Sequence, residues 1–395
     1  MKQYIESTTH VLNSGIISPT RGTPTVAVHG IMTRYDCSKF HPITTIKHQG
    51  MKDMTTEMEW MMKGLTSNLW LLERDCKIWN KWDVLPLTEV DIADKLAEVG
   101  VSVDFSLVDQ ETLSKLTAAL NISDKSGELG PVYGEMMANW PTSNGETINQ
   151  LDELIDGIRE NPFSRRHIVS MWNPEFLPNE KADHVENIKN GKQVLPPCHM
   201  SFQILIRNEP FFAGITKEPM TDVEAAKAMW SAAVGNGHTD KIFHEWVSSV
   251  LASEKTYVEM VSALYESGFV FKTGVSTDNL IERYNRRYVD LLFTMRSNDK
   301  PLGEPYNVSN YGTLLAAVAH LTGFERGDLI HSTGNSHIYL DQLEGVDTML
   351  SREPKEGTRL LIEDRGQRYL KDFAASDFTL EDYQSHGKVS FKVNV

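Results

Sequence analysis

The chain has 395 residues, 40% of them hydrophobic and 24% charged, which is enough apolar material for one large core with elaborations or for two ordinary domains. A formal net charge of -15 repels a polyanion, so DNA and RNA are not expected partners, whereas one phosphate met by a few converging arginines remains compatible with it. The first fifteen residues lack the pattern of a signal peptide, and no segment approaches the roughly 18 apolar residues of a membrane helix; three scattered cysteines without a CxxC pair argue against disulfides and structural zinc, so a cytoplasmic protein without metal is expected.

Alternating apolar and polar residues over 26–35 predict a strand, and three- and four-residue spacing over 52–72 predicts a helix. The helical spacing returns over 85–126 (Ile92, Leu96, Val99; Leu113, Leu116, Leu120), broken at Gly100 and at 123–127, as expected of a small helical insertion. Strands are predicted for 166–172, 200–206 and 287–295. The intervening segment, 208–286, carries helical patterns at 223–234, 242–251 and 257–264 and reads as a second, mostly helical insertion. An apolar helix is predicted over 311–322, and 328–339 reads as strand or loop. No repeat or linker divides the chain, so the expectation is an α+β fold in which 1–395 form a single discontinuous domain.

The sequence Leu195-Pro196-Pro197-Cys198-His199 is the natural place to seek a nucleophile, because two prolines restrict the backbone and hold Cys198 extended where the next strand begins. A lone cysteine is more often a buried packing residue. Arg165-Arg166 and Arg296-Ser297 fall at the ends of strands expected to be neighbours, and a nearby guanidinium favours the reactive thiolate. Taken alone, an arginine pair is usually a solvated surface feature.

Further blocks occur in a fixed order: Glu57-x-x-Trp60, Ile78-Trp79 with Trp82, Gly130-Pro131-Val132-Tyr133-Gly134, Ser164 to Ser170, Phe202-Gln203, Arg296-Ser297-Asn298-Asp299, Pro305-Tyr306-Asn307-Val308, Gly327-Asp328 and His337-Ile338-Tyr339. Together they resemble the thymidylate synthase family, whose fold implies a large mixed sheet backed by helices and a homodimer. The resemblance implies that Cys198 adds to C6 of dUMP, making C5 a nucleophile toward the iminium form of 5,10-methylenetetrahydrofolate. It also implies that Arg296 favours the thiolate and that Arg296, Ser297, Arg21, Arg165 and Arg166 bind the nucleotide phosphate, the consecutive pair reaching across the subunit interface.

By the same resemblance Asn307 reads the base. Its amide offers an acceptor for uracil N3–H and a donor toward O4, where cytosine presents the inverse pattern. Without the family match, an asparagine in a Pro-Tyr-Asn turn would be expected to bond its own backbone. His337 and Tyr339, two positions apart and so on one face of a strand, would hold the deoxyribose 3′-hydroxyl; otherwise they are ordinary strand residues. Glu57 would organise proton transfer and Tyr133 would assist loss of the C5 proton, although a helical glutamate such as Glu57 or Glu59 is normally solvated. Trp79, Trp82, Leu195, Asp299 and Val395 match folate-site positions.

Two products are open to this chemistry: hydride transfer from tetrahydrofolate to the exocyclic methylene gives dTMP, and water addition gives 5-hydroxymethyl-dUMP. Met295 in place of glutamine, Asn335 in place of aspartate, Asp341-Gln342 in place of Asn-His, a short arginine loop, the second insertion and Asn394 beside the terminal valine all depart from the usual synthase pattern. These departures resemble a divergent viral deoxyuridylate hydroxymethylase, a one-carbon transferase expected to act in the host cytoplasm. A non-catalytic nucleotide-binding scaffold is the competing class.

Overall fold

The computed structural model describes residues 2–18, 22–82, 93, 96–97, 100–109, 112, 127–208 and 286–394. Arg21, Val395 and most of both expected insertions, 85–126 and 208–286, lie outside the described residues. The chain forms two compact units, Met1–Leu205 with Val289–Val395, and Ile206–Tyr288. Every described site residue below belongs to the first.

Six strands make one sheet: β1 (Ile16–Ser18), β2 (Thr25–Asp36), β5 (Ile168–Ser170), β6 (His199–Asn208), β7 (Arg287–Asp299) and β8 (Glu325–Tyr339), in the spatial order β1-β2-β8-β7-β6-β5. The small ladders are β3 (Trp140–Pro141) with β4 (Thr147–Ile148), and β9 (Arg359–Ile362) with β10 (Phe378–Glu381). Antiparallel pairing of β2 with β8 sets Thr25 opposite Tyr339 and Asp36 opposite Asp328. Among the described residues the α-helices are α1 (Lys2–Ser14), α2 (Met51–Met62), α3 (Asn68–Leu72), α4 (Tyr133–Ala138), α5 (Gln150–Glu160), α6 (His184–Lys189), α7 (Gly303–Thr322) and α8 (Leu343–Leu350). The α+β class expected from sequence is therefore what the structure has, a large sheet backed by helices.

Helix α7 lies in the core of the first unit. It packs on β8, α2, α5 and β9, and every residue from Val308 to Ala319 is buried. Such all-round burial removes the polar face of a surface helix. Gly323 ends it in the left-handed region, at φ 70°. Against it lies Phe293 of β7, fully buried, its ring stacked at 4.1 Å on Tyr311 and at 4.4 Å on His331.

Several boundaries differ from the sequence expectations. The helix predicted over 52–72 is two helices, because Gly64 adopts φ 70° and a Cβ there would stand 2.7 Å from that of Ala138. The apolar helix begins at Gly303, not at 311, and so takes in the Pro-Tyr-Asn block; Pro305 is tolerated because the first-turn N–H groups need no intrahelical partner. The strand predicted over 166–172 is shorter, since the Ser170 N–H is taken by the Gln150 side chain at 3.0 Å. β5 and β7 are also not adjacent, for β6 lies between them. α5 escaped the sequence reading, although Asn149 caps two N–H groups and Leu151, Leu154, Ile155 and Ile158 form its buried stripe.

Because the Phe293 ring fills the space between helix and sheet, Phe293→Ala is expected to lower the unfolding free energy by about 3–5 kcal/mol. Urea unfolding followed by circular dichroism measures this, and a loss below about 1 kcal/mol would mean that the site collapses around the void.

Candidate active site

Cys198 stands directly before β6, behind Pro196 and Pro197, and keeps part of its surface exposed. Its backbone N–H donates to the Tyr133 hydroxyl oxygen at 2.9 Å, and its carbonyl accepts the Arg296 N–H at 2.7 Å. The Arg296 guanidinium donates to the carbonyls of Pro197 (3.3 Å) and Pro196 (3.4 Å). Burial pushes the thiol pKa up; the Arg296 charge pulls it back down and Asp299 raises it further. Burial wins, so Arg296 opposes the desolvation of the thiolate without cancelling it.

Glu57 is buried on α2 and accepts two side-chain bonds, from Trp79 Nε1 and from Asn310 Nδ2, each 2.9 Å. Burial raises its pKa to about 7, although both donors stabilise the charged form and work against that rise. A carboxyl group that gains and loses its proton near neutrality is suited to proton transfer. Glu59 is equally buried but accepts from Lys63 and from the Ala375 N–H, so it ties the helix to the C-terminal segment instead. Helical spacing did not separate the two glutamates and only the family resemblance singled out Glu57; Asn310 was missed because nothing in its local sequence points to Glu57.

Asn307 lies on α7, with Nδ2 at 3.6 Å from the Met295 sulfur and its side chain hydrogen-bonded to His199. Burial holds His199 neutral, with a pKa of about 3, and its Nδ1 lies 3.0 Å from the Tyr311 hydroxyl. Tyr133, His199 and Tyr311 form successive ring contacts at 4.9 and 5.4 Å. One aromatic wall thus runs from the residue after the cysteine to the centre of the core.

His337 and Tyr339 do share a face of β8, their rings 5.1 Å apart, and His337 Nδ1 lies 2.9 Å from Asn335 Oδ1. Burial lowers the His337 pKa to about 4. Gly334 allows β8 to pass close to β7, since a Cβ there would meet the Arg296 carbonyl oxygen at 2.9 Å. Ser297 follows Arg296 on β7 and is half-buried. Asp299 accepts the Leu302 N–H at 3.1 Å and a Gln342 Nε2 bond at 2.9 Å, and burial raises its pKa to about 6. Trp79 is buried with Trp82 packed edge-on at 5.8 Å, and Leu195 is half-buried. By chemistry, an indole face, an aliphatic side chain and a hydrogen-bond-accepting carboxylate are residue types that suit the flat, N–H-bearing ring of a reduced pterin.

Arg165 and Arg166 stay exposed in the turn before β5. Of the C-terminal residues, Val393 is fixed through its carbonyl by Lys81 at 2.7 Å, and Asn394 bonds Asp341 at 3.0 Å and Thr23 at 3.4 Å. Among the described residues no His, Cys, Asp and Glu cluster is arranged to hold a metal ion, and no helix is long and apolar enough to cross a membrane.

A cysteine next to arginine and tyrosine, with a buried carboxyl group close to neutrality, defines a site for covalent and acid–base chemistry. The sequence model of the family described as thymidylate synthase matches residues 2–219 and 258–395, and the chain belongs to that family. Membership carries folate-dependent one-carbon transfer to C5 of dUMP, with 5,10-methylenetetrahydrofolate as co-substrate. Thymidylate synthases of Listeria monocytogenes serotype 4b (strain F2365) and serotype 4a (strain HCC23) are each 27% identical to it over 406 residues, covering 100% of this chain and of theirs.

Removal of the Asn310 amide leaves Glu57 buried with one donor fewer, which stabilises its neutral form. In Asn310→Ala the inflection of kcat/KM near pH 7 is therefore expected to move to higher pH. A pH–rate series on the folded variant measures it; an unmoved inflection would show that this bond does not tune Glu57.

Proposed function

We propose that this chain converts dUMP to 5-hydroxymethyl-dUMP through a covalent Cys198 adduct. In this reading the Cys198 sulfur bonds C6 of the uracil while Arg296 offsets the thiolate charge. Asn307 pairs with N3–H and O4, so the base is held with C5 toward the folate side. The co-substrate supplies the one-carbon unit to C5. Glu57 moves protons at O4 and at the folate nitrogen, and Tyr133 accepts the C5 proton through water. Arg296 and Ser297, with Arg21 and the partner-facing Arg165 and Arg166, hold the phosphate; His337 and Tyr339 hold the sugar hydroxyl; Trp79, Trp82, Leu195, Asp299 and Val395 enclose the pterin. A homodimer with arginines exchanged between protomers belongs to the same proposal.

The observation that carries the covalent chemistry is the junction at Cys198, where β6, β7 and α4 meet through its two backbone hydrogen bonds. The preference for water rests on the polar set at the chain end, where Asn394 joins Asp341 and Thr23. A retained water needs two to four polar partners, and two of these three residues are among the departures from the synthase pattern. Addition of that water to the exocyclic methylene, followed by expulsion of the Cys198 sulfur, gives the hydroxymethyl product and leaves tetrahydrofolate unoxidised. The second reading, reduction to dTMP with release of dihydrofolate, is favoured by the full-length relatives that bear the name thymidylate synthase.

Incubation of dUMP with methylenetetrahydrofolate separates the two. The expected product is heavier than dUMP by one CH2O, with no rise in dihydrofolate absorbance; dTMP with stoichiometric dihydrofolate would overturn the water reading. Cys198→Ala is expected to abolish either product, and undiminished turnover would overturn the covalent Cys198 mechanism; dUMP binding without any turnover by the wild-type chain would point to a scaffold. Asn307→Asp presents the pattern complementary to cytosine and is expected to transfer preference to dCMP, since a site with mismatched buried partners discriminates by on the order of 10⁴. Competition between dUMP and dCMP measures the ratio.

A further inference from the structure

Beneath the turn that joins β7 to α7 lies a fully buried ion pair. Lys300 is 0% exposed and Glu304 is 1% exposed. The Lys300 ammonium is 2.8 Å from both Glu304 oxygens and 2.7 Å from Ser7 Oγ of α1, so its three donors all have acceptors close by. Glu304 also accepts from the buried Asn298 amide and sits in the first turn of α7, where a negative charge suits the helix dipole. The Lys300 backbone is held as firmly as its side chain. Its N–H donates to the His337 carbonyl at 2.9 Å, and its carbonyl accepts the Tyr4 hydroxyl at 2.9 Å.

For stability alone such a pair is a poor device. The desolvation of two charges consumes most of their attraction, and well-packed apolar residues of the same volume do as well or better. What the ion pair adds is direction. Apolar contacts tolerate small slides, whereas the bonds at Lys300 and Glu304 have fixed lengths and angles. The turn they fix begins with Asp299 and leads to Asn307, one turn of helix beyond Glu304, and it is tied to the carbonyl of His337.

We propose that the Lys300–Glu304 pair is a positioning element that sets the register of β7, α7 and β8, so that Asp299, Asn307 and His337 meet folate, base and sugar together. It rests on the roles assigned to those three residues above. Neither charged group touches a reactant; both act through the backbone between the groups that do.

The test uses the full chain carrying Lys300→Met with Glu304→Leu, which removes both charges and leaves none unpaired. This double variant takes the acceptor from the buried Asn298 amide, so it is expected to unfold somewhat below the wild-type temperature and, assayed where it is fully folded, to lose about 10-fold to 10²-fold in kcat/KM, the effect of a displacement on the ångström scale. The loss should appear in kcat and in the folate KM together. Wild-type kinetics in the folded double variant would overturn the positioning role. If the double variant does not fold, Tyr4→Phe with Ser7→Ala releases the turn from α1 while the ion pair remains. Its kcat/KM should fall by about threefold or more, with the same split, and unchanged kinetics there would equally overturn the role. Asp299→Asn and His337→Ala serve as controls. If both match the wild type, the site assignment fails and the proposal with it; if they lose activity while the double variant does not, only the positioning role fails.

Discussion

Burial of α7 on nearly every side is the constraint from which the site follows. A helix with no solvent face must pair each polar side chain inside the protein, since an unpaired buried amide costs about 1–3 kcal/mol. Asn307, Asn310 and Tyr311 stand at i, i+3 and i+4 and so share one face. They find their partners at Met295 and His199, at Glu57, and at His199. One rigid element therefore sets Asn307, the Glu57 carboxyl group and the histidine that follows Cys198 in a single frame.

Electrostatics in this frame is governed by burial. Desolvation lifts Glu57 to about 7 and Asp299 to about 6, and depresses His199 to about 3 and His337 to about 4, so both acids titrate closer to neutrality while both imidazoles are held neutral. The negative charge of the whole chain matters less at the site than the local arginine. Arg296 lies against the prolines that precede Cys198 and gives the thiolate a counter-charge that the rest of the surface does not.

Much of the site was legible as ordered blocks. Cys198, Tyr133, Asn307, Arg296, His337 and Tyr339 were named from sequence, and the structure gathers them around the junction of β6, β7, β8 and α7. The family resemblance singled out Glu57, but the different surroundings of Glu57 and Glu59 were not legible, because two glutamates two positions apart on a helix differ only in what other residues bring to them: Trp79 and Asn310 in one case, Lys63 and Ala375 in the other. Lys300 and Glu304 stand at i and i+4, and nothing in their local sequence shows that Ser7 and Tyr4, nearly three hundred positions away, bond the Lys300 side chain and carbonyl. Arg165 and Arg166 are exposed in the turn before β5.

The sequence by itself determined the α+β class, most strands of the large sheet and the family, because period, turn chemistry and motif order are properties that the chain carries wherever it folds. Tertiary structure alone decided that the helix bearing Asn307 begins at Gly303, that β6 separates β5, which follows the Arg165-Arg166 turn, from β7, which carries Arg296, and that a carboxyl group on α2 is raised by burial to about 7. Those outcomes depend on desolvation and on hydrogen bonds between residues far apart in the chain, and such contacts exist only after the core has closed.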